Sequence, residues 1–246
     1  MLQQTLFSEG NNQFENGEFS SQEWSAPYVV SPAIITDMIM SCRLEGRQIK
    51  RLKMIGLAYN LRREWLEEGA YNALENLDED KRQELSNYEN IDPKMEYVRF
   101  AEIDEPFLVE FEDGDVFEID TPQQPEFRFS MNCIPWDISA GTNLPNAEAN
   151  VLFSPAIGRK VISVEVKTYV TDVDPMFFSS FDEDHTSKEL VSRIILWLEG
   201  DIGICIEGWI DFCHITLVDK TEDILPICFE ELKPALFNWE DLNDTK

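Results

Sequence analysis

The chain has 246 residues, of which 48 are acidic and 20 are basic, so its formal net charge at pH 7 is −28. Because 43% of the residues are hydrophobic and 16 are Phe, the chain can build a folded core, and this composition argues against an intrinsically disordered protein. So negative a chain repels phosphates, which argues against a nucleic-acid-binding protein.

The N-terminal sequence predicts no secretory signal, because residues 1–7 contain neither a basic region nor a long apolar run. The longest apolar-rich stretch, residues 28–40, is interrupted by polar residues and falls short of the roughly 20 residues that cross a membrane. We therefore predict a cytoplasmic protein with no membrane contact. Five cysteines without CxxC spacing indicate buried free thiols rather than a disulfide framework or a zinc site.

The sequence predicts a loose polar arm over residues 1–26. A single α+β domain is predicted over residues 27–246, with a sub-boundary near residues 90–104. Residues 28–42 predict one or two strands. The segment 48–58 begins basic and becomes apolar on both faces, as a central strand does. A helix is predicted over about 61–77, with Asn60 as its N-cap and one apolar face formed at helical spacing by Leu66, Ala70, Ala73, Leu74 and Leu77.

The C-terminal half reads as antiparallel β-structure. An Asp-Gly pair between the apolar runs 107–111 and 116–120 predicts a two-residue hairpin, and a second hairpin turns at 199–201. Further strands are predicted from alternation at 127–133, 162–170 and 209–218, and a short C-terminal helix at 229–237. The predicted fold class is therefore α+β, mainly antiparallel β-sheet with one well-defined helix and a short C-terminal helix.

The irregular segment 132–150 interrupts this strand pattern. Loops of this length are uncommon in compact domains and are often functional. The alternative, which we favour, is a packed connection whose Ile134 and Trp136 fill the core, because Cys133 is the only reactive side chain in the segment.

The same part of the chain carries a resemblance. The motifs FSMNCIPW (residues 129–136), AGTNLPN (140–146) and FSP (153–155) resemble a group of uncharacterised bacterial proteins of unknown function, from about Gly46 onward. The resemblance implies a family, but it implies no activity and no functional residue.

Residues suited to catalysis are scarce. Cys213 and His214 are adjacent, so on a strand they point to opposite faces and do not form a nucleophile–base pair. His185 lies in an acidic run that we interpret as a solvated loop. The chain lacks HExxH, GxGxxG, P-loop and GxSxG motifs, so we predict no catalytic residue, metal site or cofactor, and a non-enzymatic function is favoured over an enzyme.

One segment departs from the general acidity. Residues 43–63 contain seven basic residues and one acid. Two interpretations stay open for this basic patch. An anion could bind the start of the predicted helix together with Lys53, Arg62 and Arg63. The bases could instead pair with the chain's own acids, such as Glu67, and we favour this pairing because acids are so numerous.

The predicted function follows from charge. An acidic surface suits a partner with a basic surface, so we predict an acidic cytoplasmic binding protein such as an inhibitor or immunity-type protein. The alternative is an enzyme or a small-anion-binding protein that uses the basic patch at residues 50–63. The predicted partner contacts lie in two acidic runs and are Glu112, Asp113, Asp115, Asp182, Glu183 and Asp184.

Overall fold

The structure, a computed structural model, describes residues 17–55, 58–59, 97–103, 105–123, 126–138, 152–170, 189–208 and 213–227. The predicted helices at 61–77 and 229–237 lie outside these ranges. The described elements are helix α1 (Pro32–Ser41), a short 3-10 helix (Ser154–Ala156) and the strands β1 (Tyr28–Val29), β2 (Ile49–Met54), β3 (Ala58–Tyr59), β4 (Tyr97–Val98), β5 (Phe100–Ile103), β6 (Phe107–Phe111), β7 (Val116–Gln123), β8 (Glu126–Met131), β9 (Val161–Val170), β10 (Glu189–Leu198), β11 (Ile202–Gly208), β12 (Cys213–Asp219) and β13 (Pro226–Ile227).

These strands form two sheets and one small pair. Sheet I has the order β1-β8-β7-β6-β2, sheet II has the order β3-β5-β12-β11-β10-β9, and β13 pairs with β4. Every pairing between these strands is antiparallel. The prediction of a mainly antiparallel α+β protein is therefore confirmed at this level.

The two sheets share chain segments and one hydrophobic core. β2 and β6 pair with each other in sheet I. The strands next to them along the chain, β3 and β5, pair with each other in sheet II. The start of β2 also bonds to the start of β9 through a bridge between Gln48 and Lys160. Apolar side chains from both sheets then meet in one buried cluster that includes Leu52, Phe107, Val109, Phe117, Ile119, Phe127, Phe129, Ile194, Leu196, Ile204, Ile206 and Ile215.

Helix α1 corrects the prediction of strands over residues 28–42. Only Tyr28–Val29 is a strand, and the helix begins at Pro32, where proline's missing N–H group is tolerated and its fixed φ suits the first turn. The buried residues Ile35, Met38 and Ile39 lie at the helical spacing i, i+3, i+4. The β-branched residues of this stretch favour strands locally, but burial of this one face determines the structure. No helix among the described residues has the length and apolar character needed to span a bilayer.

Strand β2 confirms the predicted strand at 48–58 in part. It is shorter than predicted and lies at the end of sheet I rather than at its centre. Ile49, Leu52 and Met54 face the core between the sheets, whereas the intervening lysine and arginine side chains point to the opposite face. The strand therefore has one apolar and one basic face.

Both predicted hairpins are present. In the first, Phe111 N–H donates to the Asp115 carbonyl and Gly114 N–H donates to the Phe111 carbonyl, with Gly114 at φ 90°. Three residues therefore lie between Phe111 and Asp115, rather than the predicted two, because a glycine with positive φ completes a longer turn with a bulge. In the second hairpin, Leu198 faces Ile202 across the predicted turn at 199–201.

The predicted alternation of β9 is interrupted by a bulge. Leu198 faces Val161 and Trp197 faces Ser163, so Ile162 is the extra residue. As a result Ile162 is 54% exposed, although the pattern places it on the buried face with Val164 and Val166. The strand predicted within 209–218 is confirmed for the part that β12 covers.

Two neighbouring isoleucines test the assignment of α1. Ile35 is fully buried and Ile34 is 50% exposed. We expect Ile35→Ala to lower the free energy of unfolding by about 2–4 kcal/mol because it leaves a cavity in the core, and the control Ile34→Ala to change it by less than about 1 kcal/mol. Urea denaturation would measure both. Equal losses would contradict the burial of Ile35 and the exposure of Ile34 on α1.

Candidate functional site

The outer face of sheet I, directed away from the core, carries polar and charged side chains in cross-strand rows. In one row Lys53 faces Leu108, Leu108 faces Glu118, and Glu118 faces Ser130. The flanking rows contain Arg51 with Glu110, and Asp120 with Arg128 and Tyr28. Although this is an outer face, Glu110, Glu118, Asp120, Arg128 and Ser130 are buried, because two segments of the chain cover them.

The first covering segment is residues 132–138, which we call the strap. It leaves the end of β8 and crosses the sheet to β2. At its start, Cys133 N–H and Ile134 N–H donate to Glu118 Oε1 at 2.7 and 3.0 Å. At its end, Lys53 Nζ donates to the carbonyl oxygens of Trp136 and Ile138 at 2.6 and 2.5 Å. The strap is thus held at one end by a carboxyl group and at the other by an ammonium group.

The second covering segment is residues 17–27, the N-terminal cover. Trp24 is buried, and its indole Nε1–H donates to Ser130 Oγ at 2.8 Å. The Arg128 guanidinium stacks between the rings of Trp24 and Tyr28, 4.3 and 4.8 Å from their centroids, and donates to the carbonyls of Ser21 and Ala26. The part of the predicted loose arm that the structure describes, residues 17–26, therefore packs on sheet I.

The cover and the strap share a small apolar cluster above the polar rows. Trp24 from the cover and Cys133, Ile134 and Ile138 from the strap pack with the outward-facing Leu108 and with Ile55 and Val116. The interpretation of 132–150 as a packed connection is supported for residues 132–138, since Ile134 is buried. Residues 139–150 lie outside the described ranges.

Glu118 is the most perturbed acid of this face. Its side chain is 0% exposed, and burial raises the pKa of its carboxyl from 4.5 to about 7, because desolvation disfavours the charged form. Hydrogen bonds from Ser130 Oγ, at 2.6 Å, and from the strap amides lower this pKa only in part. No basic side chain in the described ranges makes an ion pair with Glu118, so this carboxyl can gain or lose a proton near neutral pH.

Glu110, on the neighbouring strand, behaves in the opposite way. Lys50 Nζ donates to its Oε1 at 3.1 Å and Arg51 Nε donates to its Oε2. These charged donors lower the pKa of the Glu110 carboxyl, with the Arg51 hydrogen bond as the largest cause. Arg51 also lies over the Trp136 ring of the strap, 4.2 Å from its centroid.

The predicted acidic contacts of the first hairpin lie at one end of the molecule. Arg47 pairs with Asp113 and Asp115 at 3.2 and 2.6 Å, and Asn132 donates to Asp115 at 2.9 Å. These partners lower the pKa of the Asp115 carboxyl. Glu112 is exposed and bonds through its backbone N–H to the Gln48 carbonyl.

The second hairpin turn lies at this same end. Gln48 bridges to Lys160, and Glu199 N–H donates to the Lys160 carbonyl. We call this region the hairpin end. Its exposed acids are Glu45, Glu112, Asp113, Glu199 and Asp201, and its exposed bases are Arg43 and Lys160.

The predicted anion-binding residues are described only in part. Lys53 is half-buried and donates to two strap carbonyls, and burial lowers the pKa of its ammonium group. Arg62 and Arg63, like the predicted contacts Asp182, Glu183 and Asp184, lie outside the described residues. The favoured pairing of the basic patch with the chain's own acids is seen for Arg47, Lys50 and Arg51.

The described histidine is a packed polar residue. His214 lies 3.2 Å from a Glu102 carboxylate oxygen and packs at a tilted angle against the Phe100 ring, while Cys213 faces the core between the sheets. Their predicted opposite directions are confirmed. Within the described ranges no three His, Cys, Asp or Glu side chains are grouped to hold a metal ion, and the four described cysteines are free and buried.

The sequence does not predict the buried acids or Arg128 as site residues. Glu118, Asp120 and Arg128 alternate with apolar residues along β7 and β8, which is the pattern of a solvent-facing side. One signal could have indicated otherwise: the polar N-terminal segment and β1 contain Trp24 and Tyr28, large rings that suit a covered arginine.

Glu118→Gln tests the buried carboxyl through global stability. Because the folded-state pKa is above the unfolded value, the stabilising contribution of the neutral form is fully present below about pH 4.5 and is lost as the pH rises through about 7. Relative to Glu118→Gln, the wild-type protein should lose about 3 kcal/mol between pH 4 and pH 8. Urea denaturation at each pH would measure the difference, and parallel pH profiles of the two proteins would refute a raised pKa.

Glu110→Gln should show the opposite pH dependence. The lowered pKa means that the charged form stabilises the fold at neutral pH, and this contribution is lost as the pH falls through that pKa. We expect the substitution to cost about 1 kcal/mol at pH 7, since Lys50 and Arg51 are partly exposed, and less at acidic pH. The exposed neighbour Glu112→Gln is the matched control, and an equal loss in both variants would argue against the paired role.

Comparisons with known proteins give this site no precedent: no protein-family model matches the chain, and no curated protein or solved structure matches it either. The resemblance to uncharacterised bacterial proteins therefore assigns no family. The chemistry of the site has three parts. The Glu118 carboxyl is buried and has a raised pKa, the bases of β2 are bound to acids or backbone carbonyls, and the hairpin end carries exposed acids.

Proposed function

We propose that this protein is an acidic cytoplasmic binding protein, of inhibitor or immunity type, that binds a partner with a basic surface. The observation that carries the proposal is that five basic side chains are bound to groups of the chain itself. Arg47, Lys50 and Arg51 are paired with the chain's own acids, and Arg128 and Lys53 are bound to backbone carbonyls. These bases stabilise the fold, while many of the acids stay exposed.

The hairpin end supports a definite contact region. Backbone hydrogen bonds join both acidic turns to the segments between them, so the exposed carboxylates are held on paired strands rather than on free loops. Fixed charges of one sign raise the rate of encounter with an oppositely charged surface and disfavour partners of like charge. The proposed contacts in this region are Glu112, Asp113 and Asp115, of which the last two also pair with Arg47, together with Asp182, Glu183 and Asp184 in the second acidic run.

The alternative, a small-anion site on the basic patch, has less support. Lys53, its described member, donates to the carbonyls of Trp136 and Ile138, and Arg51 is bonded to Glu110 and stacked on Trp136. An anion would have to replace these partners before it could use either side chain.

Affinity capture followed by charge reversal tests the proposal. The tagged protein should retain a stoichiometric basic protein from a lysate of its own cells at about 0.1 M salt and lose it at about 1 M, where the Debye length falls from about 10 to about 3 Å. With the captured protein in hand, Glu112→Lys combined with Asp113→Lys should slow association about tenfold or more.

The matched control carries the same change of charge elsewhere. Asp37 and Glu189 are exposed, and Glu189 lies at the opposite end of β10 from the turn at 199–201, so Asp37→Lys with Glu189→Lys should alter association much less. A third variant reversing Asp182, Glu183 and Asp184 tests the second run. Recovery of no basic partner, or equal slowing by the control, would reject the proposed contacts.

A further inference from the structure

A carboxyl group binds one end of the strap and an ammonium group binds the other end. Glu118 accepts its first N–H groups, and Lys53 donates to its last carbonyls. The two groups lie in one cross-strand row and are separated by the strand that carries Leu108. Lys53 forms no ion pair with Glu118 among the described residues, because its Nζ donates to the two strap carbonyls instead. Glu118 and Lys53 therefore hold opposite ends of the same short segment.

The Glu118 carboxyl is enclosed on every side by named elements. Ser130 from β8 contacts one oxygen, and Ser130 is itself bonded to Trp24 of the N-terminal cover. The strap amides contact the other oxygen. The charged and titratable groups of the elements packed around it are Asp120 on its own strand, Glu110 on β6, Lys50, Arg51 and Lys53 on β2, Glu126 and Arg128 on β8, Tyr28 on β1, Cys133 and Asp137 on the strap, Glu18 and Glu23 on the cover, and Cys42 at the end of α1.

None of these groups forms a described ion pair with Glu118. The basic ones are bound elsewhere: Lys50 and Arg51 to Glu110, Lys53 to the far end of the strap, and Arg128 to the cover. The carboxyl is therefore enclosed in its neutral form more readily than in its charged form.

We propose that Glu118 is a pH-sensitive latch whose ionisation releases the strap from sheet I. In the closed state water is excluded from the carboxyl. Opening the strap frees Glu118 Oε1 for water, so the charged form is stabilised in the open state. Opening therefore becomes easier as the pH rises from acid to slightly alkaline values, and the closed state is favoured at low pH.

Opening would change the surface that the protein presents. Lys53 would lose both carbonyl acceptors, and Arg51 would lose the Trp136 ring that lies over it. Lys53, half-buried in the closed state, and the side of Arg51 that lies on Trp136 would then become accessible to solvent. The latch thus couples proton loss at Glu118 to greater exposure of these two basic side chains of β2.

Amide hydrogen exchange of the whole protein measures the latch directly. The N–H groups of Cys133 and Ile134 are the donors that opening releases, and their protection factors correct for the intrinsic pH dependence of exchange. We expect both protection factors to fall roughly 50- to 100-fold between pH 5 and pH 8, as follows from carboxyl pKa values of 4.5 in the open state and about 7 in the closed state.

The amides of Phe117 and Ile119, in the core strand β7, are the internal control because they report global unfolding. In Glu118→Gln the strap protection should no longer depend on pH. In Ser130→Ala, which removes one hydrogen bond to the carboxyl and so raises its pKa in the closed state, the fall should begin at the same pH but continue to a higher pH.

Three results would overturn the proposal. The strap protection could be independent of pH in the wild-type protein. It could fall equally in Glu118→Gln. The strap amides could also exchange with the same protection as those of Phe117 and Ile119, which would mean that the strap opens only when the whole protein unfolds. The first and third results need only the wild-type protein, so they decide the matter even if Glu118→Gln does not fold.

Discussion

Burial of the polar outer face of sheet I constrains the structure around it. A carboxyl, a guanidinium group and an ammonium group cannot be removed from water unless hydrogen-bonding groups replace the water. Here the replacements are mostly backbone groups: strap amides for Glu118, strap carbonyls for Lys53 and cover carbonyls for Arg128. The positions of both covering segments therefore follow from the side chains beneath them, and the covering segments need no regular secondary structure of their own.

Glu110 and Glu118 show how partners determine what burial does to a carboxyl. Both lie on the same face, on adjacent strands, and both are buried. Glu110 is bonded to two cations, and its pKa is lowered. Glu118 is bonded to a hydroxyl and two amides, and its pKa is raised. Neutral donors compensate less of the desolvation of a charge than cations do. Glu110 is therefore stabilised in its charged form, whereas Glu118 is stabilised in its neutral form.

The sequence predicted the features that depend on near neighbours along the chain. An acidic residue followed by Gly, at 113–114 and at 199–200, indicated the two hairpins, and alternation indicated β8, β9 and β12. Differences arose where a bulge or a positive φ intervened, at Ile162 and Gly114. α1 was missed because its β-branched residues favour a strand locally. The site was missed for a different reason. Glu118 has the spacing of a solvent-facing residue. It is bonded to Ser130, which in turn accepts a hydrogen bond from Trp24, 94 positions before Glu118 in the sequence, and no local pattern encodes this cover.

The segregated charge of the sequence has a structural explanation for its described part. Arg47, Lys50, Arg51 and Lys53 all come from one short segment because they serve one edge of sheet I, where they meet the first hairpin, Glu110 and the strap. Basic residues clustered in sequence are therefore dispersed over separate partners in space. Among the described residues, acids such as Glu112 and Glu199 stay exposed at the hairpin end. Since the paired bases of β2 are bound to partners within the fold, these exposed acids are the groups that a basic partner would encounter there.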